Sequence, residues 1–235
     1  MSVIEQRTSR SKVVQTTSAA EPASNPFTSD VATIWEPRGA RAEAIRGLRT
    51  HVMAQHVHEG RKALAVCAAS ADVGCTLVAV NLAVALSQVG VKTLLVDADL
   101  RQPGVDELIR PSRPILGLRH ALTSTDARMN EIIEEDVIPD LSVMYSGGPE
   151  ANAQELLATD RFRDIMEFCL REYDITIIDT PPANICSDAR RVSTVVGYSM
   201  IVTRRGKTFV DDVKTLISQL EGDHARVVGT VLNEA

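Results

Sequence analysis

The chain passes from a short apolar run at residues 63–68 into Ala69-Ser70-Ala71-Asp72-Val73-Gly74-Cys75-Thr76, and then into a longer apolar run. A strand that enters a glycine-containing loop and leaves as a helix is typical of a phosphate-binding loop, whose backbone N–H groups surround an anion. Gly74 and Thr76 stand where such a loop needs its glycine and its hydroxyl. The position that normally carries lysine holds Cys75, which is uncharged.

The missing lysine bears on chemistry more than on fold. A unit charge at roughly 4 Å and an effective dielectric of about 20 contributes on the order of 4 kcal/mol of attraction to phosphate. Lysine also neutralises the charge that develops on a transferred phosphoryl group, so its loss should slow transfer more than it weakens binding. Two other interpretations stay open: the stretch is only a turn into a helix, or the site no longer binds nucleotide.

The composition is that of a globular protein with an aliphatic core. The 235 residues are 44% hydrophobic, 24% charged and only 3% aromatic, which favours one α/β domain. The formal net charge of −6 argues against nucleic acid as a partner, because nucleic-acid binding needs a basic surface. The four cysteines form no CxxC pair, and the sequence has neither a membrane-length apolar run nor a signal peptide, so a cytoplasmic protein is expected.

Composition also divides the chain into a leader and one domain. Residues 1–38 are rich in Ser, Thr, Ala, Gln and Pro, which predicts a disordered leader. Residues 39–235 carry the strand and helix patterns of the domain. It opens at residues 39–60 with an amphipathic helix over 40–57 that Gly60 ends.

Further patterns predict a doubly wound, mostly parallel sheet. Short apolar runs predict strands, and longer periodic runs predict helices. The predicted strands are 63–68, 93–97, 175–179, 199–203 and 227–232, with one more at Met144 and Tyr145, and the predicted helices are 77–89, 154–171 and 208–221. Their alternation implies an α/β fold with right-handed crossovers.

Two of the predicted strands end in an acidic residue. Asp97 closes the strand at 93–97, Asp179 closes the strand at 175–179, and Asp99 follows shortly after Asp97. Because the carboxyl ends of parallel strands meet at one edge of the sheet, we expect these carboxylates beside the phosphate loop. Solvated strand ends or helix caps would give the same pattern.

Three segments stand out together along the chain: residues 94–103 (Leu-Leu-Val-Asp-Ala-Asp-Leu-Arg-Gln-Pro), 148–157 (Gly-Pro-Glu-Ala-Asn-Ala-Gln-Glu-Leu-Leu) and 173–182 (Tyr-Asp-Ile-Thr-Ile-Ile-Asp-Thr-Pro-Pro). In this order they resemble the bacterial tyrosine kinases of capsule and exopolysaccharide export, over about residues 40–235. The resemblance implies a P-loop NTPase fold, like that of the partitioning ATPases, with ATP or ADP and Mg²⁺ as cofactors.

The resemblance also implies residue roles. Asp97, Asp99 and Asp179 would act in catalysis, with Thr76, Asp97 and Asp179 around Mg²⁺. Nucleotide contacts would come from the loop, from an arginine and from an asparagine near the adenine: Ser70, Asp72, Val73, Gly74, Cys75, Thr76, Arg101 and Asn233. Glu43, Arg46 and Arg49 match the family's Glu-x-x-Arg-x-x-Arg oligomerisation motif, although Glu43 and Arg46 could simply pair on the helix surface.

Cys75 is one of two departures from the family. The family kinases end in a tyrosine-rich tail, whereas this sequence contains only Tyr145, Tyr173 and Tyr198, all inside predicted structure. Both departures predict impaired autophosphorylation. A thiol at a helix N-terminus is also expected to have a lowered pKa and to be open to modification, unless Cys75 is simply a small residue that replaced lysine after catalysis was lost.

These observations lead to one main hypothesis, a catalytically impaired kinase-like protein in the cytoplasmic part of a polysaccharide synthesis and export assembly. Its expected partner is an inner-membrane chain-length-determinant protein that recruits it to the membrane; ATP binding would be weak or absent, and the chain could form homo-oligomers. One alternative is an active kinase or ATPase in which another cation replaces the lysine. Another is a partitioning-type ATPase, against which Ser70 at the early-loop lysine position and Pro181-Pro182 argue.

Overall fold

The structure, a computed structural model, describes residues 25–124 and 126–234. Within these residues seven strands form one sheet: β1 Ala63–Ala68, β2 Thr93–Asp97, β3 Glu134–Ile138, β4 Leu141–Met144, β5 Ile175–Asp179, β6 Tyr198–Arg204 and β7 Arg226–Asn233. Across the sheet they lie in the order β3-β4-β2-β5-β1-β6-β7, and every neighbouring pair is parallel except β3 and β4. The predicted doubly wound, mostly parallel α/β fold is confirmed.

Helices connect the strands and cover both faces of the sheet. Alternate residues of β1 show this: Leu64 and Val66 pack in one apolar cluster, whereas Ala65 and Cys67 pack in another. Successive side chains of a strand point to opposite faces, so the two clusters lie on opposite sides of the sheet. The helices are α1 Ala32–Trp35, α2 Ala40–Gln55, α3 Cys75–Ser87, α4 Val105–Leu108, α5 Gly117–Thr123, α6 Met129–Ile132, α7 Ala153–Leu157, α8 Asp160–Glu172, α9 Asp188–Val196 and α10 Val210–Gly222, with a 3₁₀ turn at Val57–Glu59.

The unit that positions the site is β1, the loop at 69–74, and α3. All six residues of β1 are buried, because β1 lies between β5 and β6 and is covered on both faces. Helix α3 is buried from Val78 to Ser87, which accounts for its nearly continuous apolar sequence. The phosphate loop therefore joins two elements fixed in the core.

The structure differs from the prediction at the helix over 154–171 and at one edge of the sheet. The helix predicted over residues 154–171 is two helices, α7 and α8, because the chain turns at Ala158 and Thr159 caps a new helix by accepting the N–H of Phe162 at 3.4 Å. The edge strand β3 was not predicted. Its sequence begins with three acidic residues and it pairs only with β4, so it lacks the apolar run of a central strand.

The predicted disordered leader reaches too far into the chain. Residues 25–38 are folded: Phe27 forms a β-bridge with Ile109, Val31 is fully buried, and Ala32–Trp35 is a helix. Thr33 fixes this segment to α3, since its N–H donates to Asn81 Oδ1 at 3.3 Å and its carbonyl accepts from Gln88 Nε2 at 3.2 Å. Residues 1–24 lie outside the described residues.

Candidate phosphate and metal site

The loop between β1 and α3 has the backbone conformation of a phosphate-binding loop. Asp72 and Gly74 both lie in the left-handed region, at φ +53° and +83°. A Cβ on Gly74 would lie 2.2 Å from Asn233 Nδ2, so the position accepts only glycine while Asn233 stays in place. Asn233 Nδ2 donates to the carbonyl of Val73 at 2.8 Å, which ties the end of β7 to the loop.

The loop forms one wall of a cleft of about 310 Å³. Six of the predicted binding residues line this cleft, together with Asp99: Ser70, Asp72, Val73, Gly74, Cys75 and Thr76. Arg101 and Asn233 are not part of its lining. The sequence did not single out Gln102, Gly104, Glu107 or Thr180, which also line the cleft. Gln102 belongs to the 94–103 segment and could have been named from it.

Cys75, the first residue of α3, is half-buried: it lines the cleft and also packs against the apolar core. Its thiol donates to the carbonyl of Val66 at 3.2 Å. Burial, followed by the negative charge of Asp179, holds the pKa of the Cys75 thiol well above its usual range. The expectation of a lowered thiol pKa at this helix N-terminus was therefore wrong, because loss of solvation and a nearby carboxylate outweigh the helix dipole. A thiol with a raised pKa stays protonated at neutral pH and is a poor nucleophile, so the structure does not favour modification of Cys75.

Thr76 and Asp179 are in direct contact. The Thr76 hydroxyl donates to Asp179 Oδ2 at 2.6 Å. The other oxygen of Asp179, Oδ1, is buried and has no hydrogen-bond partner among the described residues. Burial raises the pKa of Asp179, partly opposed by the hydrogen bond from Thr76.

Asp97 lies beside Asp179, since the two are register partners on β2 and β5. Its Oδ1 accepts the N–H of Asp99 at 3.1 Å, and its Oδ2 accepts those of Gly104 and Val105 at 3.3 and 3.2 Å. Burial, followed by the negative charge of Asp179, holds the pKa of Asp97 well above its usual range.

Asp99 has a similar local role. Its Oδ1 accepts the N–H groups of Arg101 and Gln102 at 3.0 and 2.8 Å, which shapes the chain after β2. Burial raises the pKa of Asp99. The structure thus brings the three predicted catalytic acids to one edge of the sheet, next to the first turn of α3.

These residues fit a Mg²⁺ ion that also binds phosphates. Two adjacent buried carboxyl groups disfavour double ionisation, and a divalent cation would relieve this. The unpartnered Oδ1 of Asp179 and the hydroxyl of Thr76 are oxygen ligands of the kind that Mg²⁺ prefers. Across residues 25–124 and 126–234, no group of three or more His, Cys, Asp or Glu is arranged to hold a metal ion. A nucleotide would therefore have to supply part of the coordination.

Arg101 turns away from the loop. Its Nε and Nη2 donate to Oδ2 and Oδ1 of Asp188 at 2.7 and 3.3 Å. Asp188 is fully buried at the start of α9, so Arg101 compensates an internal charge. The structure places Arg101 as a link between the chain after β2 and α9, a role that the sequence did not indicate.

The predicted oligomerisation residues share helix α2. Arg46 pairs with Glu43 at 2.7 Å and also donates to the carbonyl of Pro37 at 2.7 Å. Arg49 Nη1 donates to the carbonyl of Ala85 on α3 at 3.4 Å. The surface pair that the sequence allowed is present, and a role of the three residues in oligomerisation stays a prediction.

Two cations outside the predicted set contact the loop. Arg204 and Lys207, at the end of β6 and in the turn after it, both donate to the carbonyl oxygen of Asp72, at 3.2 and 3.3 Å. Lys207 Nζ also pairs with Asp72 Oδ2 at 3.0 Å. Arg204 and Lys207 lie 132 and 135 residues after Asp72, so no local sequence pattern links them to the loop.

In the part of the chain that the structure describes, no helix combines the length and the apolar character that crossing a bilayer requires.

Comparison with known proteins identifies the domain. A family model described as "AAA domain" matches residues 61–220. The tyrosine-protein kinase etk of Escherichia coli strain K12 is 32% identical over 197 residues, which are 84% of this chain but only 27% of that protein. The chain therefore spans about a quarter of the length of this relative.

Solved structures give the same result. The kinase domain of the Escherichia coli tyrosine kinase ETK superposes with a TM-score of 0.80 and 30% identity, covering 92% of this chain and 83% of that one. The cell division ATPase MinD of Pyrococcus furiosus has a TM-score of 0.64 at 20% identity over 74% of this chain and 72% of its own, which shows a shared fold. The chain belongs to the AAA domain family of P-loop proteins and is homologous to the kinase domains of bacterial tyrosine kinases.

Proposed function

We propose that this chain is a catalytically impaired member of its family, which acts as a cytoplasmic regulator or docking component in capsule or exopolysaccharide synthesis and export. Its proposed partner is an inner-membrane chain-length-determinant protein, which would recruit it to the membrane. The homology to bacterial tyrosine kinase domains supports the setting. The state of the phosphate loop supports the impairment.

One observation carries the proposal. Cys75 stands at the lysine position; its thiol donates to the carbonyl of Val66, and its raised pKa keeps it uncharged. When a nucleotide and Mg²⁺ are bound, the metal supplies charge neutralisation on the phosphates. Thr76 and Asp179 would hold the metal, and the N–H groups of the loop would bind the phosphates. The chain's own cation at the transferred group is what is missing, so binding survives in weakened form and transfer is lost.

The test measures transfer of radiolabelled phosphate from Mg-ATP to a Glu-Tyr copolymer. Wild type should lie at background, and Cys75→Lys should gain about a hundredfold or more, because one preorganised charge is worth that much in a transition state. Asp97→Asn in the Cys75→Lys background is the control, because it should abolish any transfer that takes place at this site. Wild-type transfer that equals that of Cys75→Lys and that Asp97→Asn abolishes would contradict the proposal.

The docking role has a cellular test. Deletion of the gene should alter the length of the exported polysaccharide, and wild type and Asp97→Asn should restore it equally. Failure of Asp97→Asn to restore it, with the protein present at normal levels, would show that chemistry is needed.

One observation favours the alternative of an active kinase or ATPase. Arg204 and Lys207 bring positive charge to the loop within the same chain. An active kinase or ATPase would use such a cation in place of lysine, and the transfer assay above distinguishes this alternative.

A further inference from the structure

The turn after β6 holds the phosphate loop from one side. The side chains of Arg204 and Lys207 converge on the carbonyl oxygen of Asp72. The turn has a defined shape, because the Arg204 carbonyl accepts the N–H groups of Lys207 and Thr208 at 3.1 and 2.9 Å. Thr208 Oγ1 accepts the N–H of Arg204 at 2.9 Å, and Gly206 adopts φ +74°. Both cations are thus presented by a folded turn.

These contacts fix the direction of the loop's peptide groups. In a trans peptide the carbonyl and the N–H point in opposite directions. The Asp72 carbonyl points to Arg204 and Lys207, so the N–H of Val73 points away from them. Asn233 holds the Val73 carbonyl in the same way and so orients the N–H of Gly74.

The N–H groups oriented in this way are available to a ligand. None of the hydrogen bonds of the described residues is donated by the backbone N–H of residues 73–76, which precede and open α3. A second polar group in the cleft is also unsatisfied, because the buried Ser70 hydroxyl has no partner among the described residues. Together they form a set of donors around the cleft.

We propose that Arg204 and Lys207 are positioning residues for the phosphates of a nucleoside diphosphate or triphosphate, which they serve by holding the Asp72 carbonyl so that the loop's N–H groups face the cleft. The inference rests on the proposed function, because it concerns nucleotide binding at the same site. In a loop that carries lysine, the lysine both orders the loop and stabilises the transferred phosphoryl group. In this chain Arg204 and Lys207 would order the loop, and no side chain is assigned to the transition state.

Asp72 provides a test, because the proposal predicts that Lys207→Ala and Asp72→Asn change nucleotide affinity in opposite directions. Asp72 lines the cleft, and its carboxylate pairs with Lys207, with 81% of the side chain exposed. Asp72→Asn removes a negative charge near the phosphates, keeps the backbone carbonyl that the cations hold, and keeps a residue type that tolerates positive φ. If Lys207 and Asp72 formed only a structural ion pair, breaking it from either side would have the same effect.

The experiment is calorimetric titration of the full chain with Mg-ADP and with pyrophosphate. Lys207→Ala should weaken binding about tenfold, the value of a charge-assisted hydrogen bond, and Lys207→Arg should restore most of it. Asp72→Asn should tighten binding about threefold by removing repulsion. Lys214→Ala is the matched control, because Lys214 pairs with Asp211 at 3.3 Å on α10, and it should leave affinity unchanged.

A second readout needs no ligand. Amide hydrogen exchange at residues 70–76 should be faster in Lys207→Ala than in wild type and unchanged in Lys214→Ala, with equal thermal midpoints for all three. If wild type binds too weakly to titrate, the same series is measured in the Cys75→Lys background.

Three outcomes would overturn the inference. They are effects of the same sign for Lys207→Ala and Asp72→Asn, an equal loss for Lys214→Ala, and absence of binding in both backgrounds. None of them touches the proposed impairment of transfer, which fails only if wild type transfers phosphate to tyrosine.

Discussion

The two sides of the site differ in what holds their residues in place. On the acidic side, formed by Asp97, Asp99 and Asp179, Asp97 accepts three backbone N–H groups and Asp99 accepts two. On the loop side, residues 69–76, the Cys75 side chain donates a single hydrogen bond within the described residues, to the Val66 carbonyl. A lysine in a phosphate loop serves the ligand, whereas Asp97 and Asp99 also serve the fold.

This difference explains how one side can change while the other keeps its residues. A half-buried thiol in place of a loop lysine would remove a ligand contact and would cost the fold little. Removing Asp97 would leave buried N–H groups without an acceptor, which costs free energy whether or not catalysis occurs. Intact acidic residues are therefore weak evidence of activity in a protein of this fold.

Removing Asp97 is the most severe test of this comparison. Asp97→Ala should lower the free energy of unfolding by about 3 kcal/mol, because the N–H groups of Asp99, Gly104 and Val105 lose their acceptor. Cys75→Ala on the loop side should cost about 1 kcal/mol or less. Urea denaturation at neutral pH measures both, and equal costs would remove the distinction between the two sides.

The acidic side extends to α9 through Arg101. Arg101→Met should destabilise by about 2 kcal/mol, because it leaves the buried carboxylate of Asp188 unpaired. Arg163→Met is the control: its partner Asp160 is 90% exposed, so the loss should be under about 0.5 kcal/mol. Denaturation measures the free energy of unfolding of both variants. Similar losses would show that the ion pair of Arg101 with Asp188 stabilises the fold no more than an exposed pair does.

On the loop side, substitutions that strain the backbone should lower stability more than substitution of the Cys75 side chain does. Gly74→Ala and Gly90→Ala both place a side chain at positive φ, +83° and +78°, and should each lose about 1 kcal/mol to strain. Only at Gly74 does the new Cβ also meet Asn233, so Gly74→Ala should cost about 1 kcal/mol more through the lost hydrogen bond. Thermal unfolding of the two variants gives the difference, and a larger loss at Gly90 would contradict it.

The smallest expected effect is the pH dependence of stability that His56 contributes, and it concerns a residue outside the site. His56 lies outside the site; its Nε2 is 2.7 Å from the Ala63 carbonyl and its buried Nδ1 has no partner among the described residues. Burial lowers the pKa of His56, so the unfolded chain takes up the proton first as the pH falls below about 6.5. Stability from His56 is therefore present at neutral pH and is lost on acidification, by at most about 1.4 kcal/mol per pH unit.

The raised pKa values of Asp97 and Asp179 act in the opposite direction, since their protonation favours the folded state. Comparing unfolding at pH 7.5 and 5.5 for wild type, His56→Gln and the exposed control His58→Gln isolates the histidine. His56→Gln should lose less stability on acidification than the other two, and identical losses in all three would refute the assignment.

Local signals in the sequence predicted most of the fold. Buried strands such as β2 and β5 are apolar runs that end in aspartate, and the loop at 69–76 has its own pattern, so the sheet edge and its acids were predictable. Edge strand β3 carries no such run. The break between α7 and α8 had a signal, because Thr159 followed by Asp160 is a helix start inside the predicted helix.

Contacts between distant residues were not predictable. Arg101 and Asp188 are 87 residues apart, and Lys207 and Asp72 are 135 apart. Neither pair has a pattern that marks it, because a single charged side chain in a loop looks the same whether it is solvated or paired. The direction of the Cys75 side chain was missed for a related reason, since the sequence gives its position at a helix start but not the depth of that position.

The segment before α2 couples the chain's early residues to the phosphate loop. Thr33 is bound to Asn81 and Gln88, at the middle and just beyond the end of α3, while the loop adjoins the first turn of that same helix. A pulling force applied ahead of residue 25 would load the bridge between Phe27 and Ile109 first, and would reach α3 next through the bonds of Thr33. Load that passed from Phe27 to Thr33 would therefore act on the helix that carries Cys75 and Thr76.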